Sequence, residues 1–182
     1  MTLVLGLGLF LGTQGGAGVQ SQSLFLDEDF VDRGALSGTF VNIMIASGFT
    51  FPEFDITHLQ IMVRGDVASC YYGVQAASGD VYDAESLTQV TFGGQTSVNQ
   101  GATSETLSDL IEFSWNKTDN LIFSTYSGLD DGSLEVGGTE VPHPAYTDEW
   151  FRSGVDSAST ADKSGFGATD NTFIINQLIV YG

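Results

Sequence analysis

Cysteine, proline and basic residues are all scarce in this 182-residue chain. The single cysteine, Cys70, excludes an internal disulfide and a cysteine-based structural zinc site within one chain. Its apolar sequence context favours a buried, unreactive thiol. Charged residues make up 15% of the chain and hydrophobic residues 42%. Such a composition indicates one folded domain with a largely neutral surface rather than a disordered tail.

Basic residues are too few and too scattered to form a binding patch. Five Lys and Arg stand against 23 Asp and Glu, which gives a net charge of −18. Nucleic acids and anionic membranes are bound mainly through clustered basic side chains. We therefore expect neither a nucleic acid nor a membrane as partner. The basic residues are Arg33, Arg64, Lys117, Arg152 and Lys163.

Small polar residues and glycine dominate what is present, with 18 Ser, 17 Thr and 23 Gly. These residues are typical of exposed strand faces and tight turns. The chain contains short apolar runs and no amphipathic helical pattern, which predicts an all-β protein. We expect residues 24–182 to form an antiparallel, jelly-roll-like β-sandwich. The predicted strands are 38–46, 56–64, 70–77, 87–92, 109–114, 120–127 and 172–181, with weaker candidates at 134–136 and 148–152.

Residues 1–23 form a Gly- and Leu-rich segment that precedes this domain. Leucine recurs at every second position from residue 3 to residue 11. This alternation predicts an extended strand with one apolar face and one nearly bare face. An isolated strand of this kind needs a partner, so we favour an assembly arm that adds to a neighbouring subunit. A cleaved signal peptide without basic residues and an arm packed on its own domain remain alternatives. The apolar face comprises Leu3, Leu5, Leu7, Leu9 and Leu11.

Three segments of the body share a motif with a known module. Residues 88–98 read TQVTFGGQTSV, residues 101–109 read GATSETLSD, and residues 120–126 read NLIFSTY. In order and spacing they resemble the non-catalytic β-sandwich that precedes the hydrolase domain of some SGNH (GDSL) esterases. Residues 58–65, HLQIMVRG, fit an earlier strand of that module, so the resemblance covers roughly residues 38–128.

The resemblance implies a fold and no chemistry. The Gly-Asp-Ser block of SGNH hydrolases and the Gly-x-Ser-x-Gly elbow are both missing, so we expect a non-enzyme. Similar sandwiches occur in virion proteins of tailed bacteriophages, and the Leu-Gly opening resembles many tail and fibre proteins. The expectation is a virion protein, such as a tail fibre, tail tip, head fibre or capsid decoration, assembled as a homo-oligomer with other virion proteins. A trimer is favoured by analogy. The alternative is a secreted carbohydrate-binding module with an atypical signal peptide.

Few residues offer catalytic or metal-binding chemistry. His58 lies on a predicted strand, and His143 lies in a Pro-His-Pro turn. Two acidic runs, residues 27–29 and 130–132, contain oxygen ligands of the kind calcium prefers, although neither has the spacing of an EF-hand loop. We expect no cofactor and leave a structural calcium ion open.

The polar, loop-rich region 128–170 is the predicted variable surface. Tyr146 and Trp150 offer rings on which sugars stack, and Asp130, Asp131 and Asp148 offer acceptors for hydroxyl groups. Because the chain is strongly acidic, neutral host glycans are the expected ligands. The alternative for this region is packing against neighbouring subunits.

Overall fold

The computed structural model describes residues 19–26, 30–32, 38–80, 82–99, 104–127, 135–137, 146–153, 156–168 and 175–182. Within these ranges the chain forms thirteen strands and one 3-10 turn, Ala46–Gly48. The strands are β1 (Ser21–Leu26), β2 (Phe30–Asp32), β3 (Gly38–Met44), β4 (His58–Arg64), β5 (Ser69–Val74), β6 (Thr88–Gln89), β7 (Glu105–Leu107), β8 (Ile111–Glu112), β9 (Leu121–Ser127), β10 (Glu135–Gly137), β11 (Tyr146–Ser153), β12 (Gly167–Ala168) and β13 (Ile175–Tyr181).

Two antiparallel sheets make up the body of the molecule. The five-stranded sheet has the order β1-β13-β4-β7, with β8 also paired to β4. The six-stranded sheet has the order β12-β11-β3-β9-β5-β6. A separate ribbon joins β2 and β10. The predicted all-β antiparallel sandwich is confirmed.

The main core lies between the two sheets. β4 alternates between buried and partly exposed residues, so Leu59, Ile61 and Val63 point inwards, as its sequence predicts. Leu178 and Val180 of β13 join them. The six-stranded sheet contributes Phe40, Met44, Cys70, Tyr72, Leu121 and Phe123 from its inner face.

A second, smaller core covers the outer face of the six-stranded sheet. Val41, Ile43 and Ile122 are buried there against residues of the segments 76–87 and 156–166. This cover explains why β3 and β9 are buried on both faces and lack alternation. The described part of region 128–170 joins the fold through β11, β12 and the segment 156–166.

The observed strands follow the predicted ones with two kinds of difference. The run 87–92 shortens to Thr88–Gln89 because the chain turns at two positive-φ glycines, Gly93 and Gly94. The strands β1, β2, β7 and β12 were not among the predicted ones. β1 spans Ser21–Leu26, so residues 21–23, assigned to the arm from the sequence, pair with β13. Residues 1–18 lie outside the described residues.

Candidate functional surfaces

Several residues that carry the motif resemblance form a hydrogen-bond network around Asp109. Gly93 and Gly94 have φ values of 57° and 76°, which strongly favour glycine. The Asp109 carboxylate accepts hydrogen bonds from Thr91 Oγ1 at 2.6 Å, Gly94 N at 2.8 Å and Gly93 N at 2.9 Å. These hydrogen bonds, first that from Thr91, lower the pKa of Asp109. The motif thus connects the turn at Gly93-Gly94 to Asp109, just before β8.

Ser108 extends this hydrogen-bond network to the five-stranded sheet. Its hydroxyl accepts a 3.0 Å hydrogen bond from Ile61 N and donates one of 2.9 Å to Asp109 O. Its carbonyl accepts from Gln60 Nε2 at 2.6 Å. The shared motif residues therefore hold β4, the 92–95 turn and the β7–β8 link together, and their polar groups serve the fold.

Of the nucleophile and base candidates, Cys70 lies on β5 and His58 on β4, and these strands belong to different sheets. Cys70 is fully buried, and burial raises the pKa of its thiol to about 12, so the thiolate is not available near neutral pH. His58 is partly exposed on β4, with Nδ1 2.9 Å from Thr57 Oγ1. His143 lies outside the described residues.

The part of the chain that the structure describes contains no group of three or more His, Cys, Asp or Glu residues arranged to hold a metal ion. The two acidic runs considered for calcium, residues 27–29 and 130–132, lie outside the described residues, so the calcium hypothesis stays a prediction.

The arm enters the fold at a sheet edge. β1 is the outermost strand of the five-stranded sheet as described, and Gln20 exchanges two backbone hydrogen bonds with Gly182, of 3.1 and 3.4 Å. Val19, just before them, is 77% exposed. An edge strand is a place where another backbone can add by β-augmentation. The leucines Leu3, Leu5, Leu7, Leu9 and Leu11 lie outside the described residues.

The outer face of the five-stranded sheet carries partly exposed side chains of low charge. Its register rows place Tyr181 beside His58, Ile179 beside Gln60, and Gln177 beside Met62. Leu107 of β7, which is 42% exposed, pairs with Met62 of β4. The neutral face, as we call it, is the uncharged part of this outer face, and Arg64, Glu105 and Glu112 lie on the same outer face at the two ends of β4. Its members are Ser21, Ser23, His58, Gln60, Met62, Leu107, Gln177, Ile179 and Tyr181.

Hydrogen bonds between side chains cross-link the neutral face. The Tyr181 hydroxyl donates to Gln60 Oε1, and Gln60 Nε2 in turn donates to Ser108 O. Gln177 Nε2 donates to Ser23 Oγ at 3.3 Å. Three strands, β1, β13 and β4, are thereby connected across the face. The sequence alternation of β4 shows that part of this face exists, but not which strands flank it.

The glycan candidates Tyr146 and Trp150 both lie on β11, and Asp148 lies between them. Tyr146 pairs with Met44, which belongs to the inter-sheet core, whereas Trp150 pairs with Val41, which belongs to the outer core. The register of this pairing shifts between Tyr146 and Glu149. Asp130 and Asp131 lie outside the described residues.

An open groove of about 310 Å³ lies at the end of β5 and β9. Asn120 is one of the lining residues. Its Oδ1 accepts a hydrogen bond from Ala46 N at 2.9 Å, and its Nδ2 donates one to Gln75 Oε1 at 2.7 Å. Sequence reasoning missed this groove because its walls come from distant segments. It is lined by Val74, Gln75, Ala76, Ala77, Glu85, Thr118, Asp119 and Asn120.

Lys163 is a buried cation that the sequence does not announce. Its ammonium group donates to Ser157 O at 2.6 Å, Ser124 Oγ at 2.8 Å and Ala158 O at 3.0 Å. It also lies 5.7 Å from the centre of the Phe166 ring. Burial lowers the pKa of Lys163 to about 8, and the charges of Asp156 and Asp83 oppose that shift. This side chain fastens the 156–166 segment to β9.

Comparisons with protein-family models and with curated protein sequences find no match for this chain. The likeness to the SGNH-associated sandwich therefore rests on the motif residues quoted above. Among the described residues, no helix has the length and apolar character needed to cross a membrane.

Proposed function

We propose that this chain is a non-catalytic structural protein of a tailed-bacteriophage virion, docked on the particle through its amino-terminal arm. The observation that carries the proposal is the point where the arm meets the fold. Residues 1–18 lead directly into the β1 edge strand, so an arm that adds to a neighbouring sheet is anchored in a strand of its own domain. The proposed location is the extracellular particle, and the proposed partners are other virion proteins and further copies of this chain.

The polar interactions of the motif support a non-catalytic role. Asp109 and Ser108 are engaged with backbone groups of the fold, and Cys70 is buried away from solvent. The residues that carry the family resemblance thus have a structural use here, which agrees with the missing nucleophile motif of SGNH hydrolases.

The test replaces the apolar face of the arm in the parent phage. Changing Leu3, Leu5, Leu7, Leu9 and Leu11 to Thr keeps strand propensity and removes apolar surface worth about 1.5–3 kcal/mol for each buried leucine. We expect a folded protein that no longer joins the particle. The matched control changes the same five residues to Ile, which keeps both properties and should preserve incorporation.

Quantitative immunoblotting of purified particles measures the result. Normal incorporation of the Thr variant, or of a chain lacking residues 2–12, would contradict arm-mediated docking. The alternative, a secreted carbohydrate-binding module, is separated by intact mass: loss of roughly the first 18 residues from the native protein supports secretion, whereas their retention in particles supports the virion role.

A further inference from the structure

None of the described residues that line the groove at the end of β5 and β9 is basic. Amide and hydroxyl side chains, which both donate and accept hydrogen bonds, lie beside two carboxylates, which only accept. Small apolar side chains complete the lining. The volume of about 310 Å³ lies at the lower end of the range for small-molecule sites, so the groove suits one small ligand. The amides belong to Gln75 and Asn120, the hydroxyl to Thr118, the carboxylates to Glu85 and Asp119, and the apolar side chains to Val74, Ala76 and Ala77.

Backbone hydrogen bonds join the segments that form the groove. Glu85 N donates to Val74 O at 2.9 Å, which connects the covering segment 76–87 to the end of β5. Gln75 N donates to Asn120 O at 3.0 Å, which connects the residue before β9 to the same place. The hydrogen bond from Asn120 Nδ2 to Gln75 Oε1 also fixes the orientation of both amides. These groups are held in place before a ligand arrives, which lowers the entropic cost of binding.

The other wall of the groove, the loop before β9, is held by the core. The Trp115 indole nitrogen donates to Asp119 O at 2.9 Å, and Trp115 itself is buried. Lys117 Nζ donates to Pro52 O at 2.6 Å and to Phe54 O at 2.8 Å. The position of Asp119 in the groove is therefore set by contacts that its own side chain does not make.

The two carboxylates of the groove keep oxygen atoms available for a ligand. Asp119 Oδ1 accepts hydrogen bonds from Asn116 Nδ2 at 3.1 Å and from Thr118 Oγ1 at 3.4 Å, whereas no described group donates to its Oδ2. The Glu85 carboxylate is exposed and makes no hydrogen bond or ion pair with the described part of the chain. A ligand in the groove thus meets two charged acceptors, and hydrogen bonds to charged acceptors are stronger than those between neutral groups.

We propose that this groove binds an uncharged, hydroxyl-rich ligand, namely one sugar unit of a neutral glycan. Hydroxyl groups donate to the carboxylates and can exchange hydrogen bonds with the amides, while the C–H groups of a sugar ring lie against the small apolar side chains. Anionic ligands are repelled by Glu85 and Asp119 and by the net charge of −18. A simple amine would use the carboxylates and leave the amides without a role.

This site goes beyond the arm-mediated assembly proposed above and does not depend on it. All of its lining residues precede region 128–170, so it is also separate from the surface that the sequence suggested for glycans. The groove is open and accepts a single ring, and we expect a dissociation constant of roughly one millimolar for a monosaccharide.

Nuclear magnetic resonance titration of the isotope-labelled full chain tests the proposal. The probes are the methyl glycosides of glucose, galactose, mannose and N-acetylglucosamine, each added up to about 50 mM, well above the expected constant. We expect at least one of them to shift the side-chain amide resonances of Gln75 and Asn120 in a saturable way. Methylammonium chloride, titrated over the same range, tests the ammonium group as the alternative ligand.

Two nearly isosteric variants connect the shifts to the groove. Asp119→Asn and Glu85→Gln each remove a charged acceptor, and we expect either to raise the dissociation constant by about tenfold. Both should fold normally, because the hydrogen bonds that hold these positions involve backbone atoms. Glu53→Gln is the matched control: it removes the same charge from an exposed residue outside the groove and should change the constant by less than about twofold.

Three results would overturn the proposal. The first is the absence of saturable shifts at Gln75 and Asn120 with all four glycosides. The second is binding that Asp119→Asn and Glu85→Gln weaken no more than the control does. The third is a response to methylammonium without one to the glycosides, which would assign the groove to an ammonium group. All of these measurements use the purified chain without the particle, so the sugar site can fail while arm-dependent incorporation holds, and the reverse.

Discussion

Gly73 is the residue where close packing demands the absence of a side chain. It lies on β5, and a Cβ built on it would be 2.1 Å from the carbonyl oxygen of Ser86. The backbone of the covering segment 76–87 therefore passes directly over this position. A methyl group here can be accommodated only if the backbone moves, because the obstructing atom belongs to the main chain.

We expect Gly73→Ala to lower the free energy of unfolding by about 3 kcal/mol, as for severe overpacking of a core. Gly167→Ala is the matched control, since no atom lies within 4 Å of the position that its Cβ would occupy, and it should change stability by less than about 0.5 kcal/mol. Urea denaturation monitored by tryptophan fluorescence measures both. Equal effects of the two substitutions would contradict the close approach of Ser86.

Lys163 makes stability depend on pH. Its pKa is lowered from 10.5 to about 8 in the folded chain, so between these values the unfolded chain holds a proton that the folded chain has lost. Stability therefore rises with pH across that window. Cys70, whose pKa is raised from 9.0 to about 12, acts in the opposite direction above pH 9.

Lys163→Met separates the two effects, because it leaves Cys70 in place. We expect the difference in unfolding free energy, wild type minus variant, to increase between pH 8 and pH 10. Denaturation curves at three or four pH values in this window provide the measurement. Parallel pH profiles for the two proteins would show that Lys163 titrates normally in the fold.

β11 is the element on which the glycan hypothesis depends. The strand lies between β3 and β12 in the six-stranded sheet and carries Tyr146, Asp148 and Trp150. Its pairing with β3 shifts register between Tyr146 and Glu149. Asp130 and Asp131 lie outside the described residues, so glycan contact stays a prediction.

The Tyr146→Ala/Trp150→Ala double variant remains the test of glycan contact through region 128–170. If that region binds host polysaccharide, the double variant should lose binding by about tenfold or more, since each stacked ring contributes roughly 1 kcal/mol or more. The Tyr146→Phe/Trp150→Phe variant retains aromatic rings and serves as control. If the alanine variant binds host cells as well as its parent does, the glycan hypothesis is wrong and only a structural role remains for this region.

At the scale of the whole molecule, charge and topology act together. The covered side of the sandwich is acidic, and the neutral face lies on the other side. β1, which follows the arm, borders that neutral face. Assembly into three copies stays a prediction by analogy with virion fibres and decorations, and sedimentation equilibrium of the full chain measures that number.

The sequence by itself determined the class of the fold. The strand predicted at 56–64 is present as His58–Arg64, and its alternating sequence matches the side chains that enter the core, because neighbouring side chains of a strand point to opposite faces. The scarcity of basic residues and the single cysteine are likewise properties of the chain that folding does not alter. Turn chemistry at Gly93-Gly94 was also readable, since few residues other than glycine adopt positive φ.

Only the tertiary structure decided what covers each face. Strands β3 and β9 are buried on both sides because the segments 76–87 and 156–166 fold over them, fastened by Lys163. Neither local propensity nor periodicity reports such a contact, since it joins residues about 40 to 120 positions apart. The same holds for the neutral face, whose rows combine β1, β4 and β13. Hydrogen bonding between strands distant in sequence, not the sequence of any one strand, brings those uncharged side chains together.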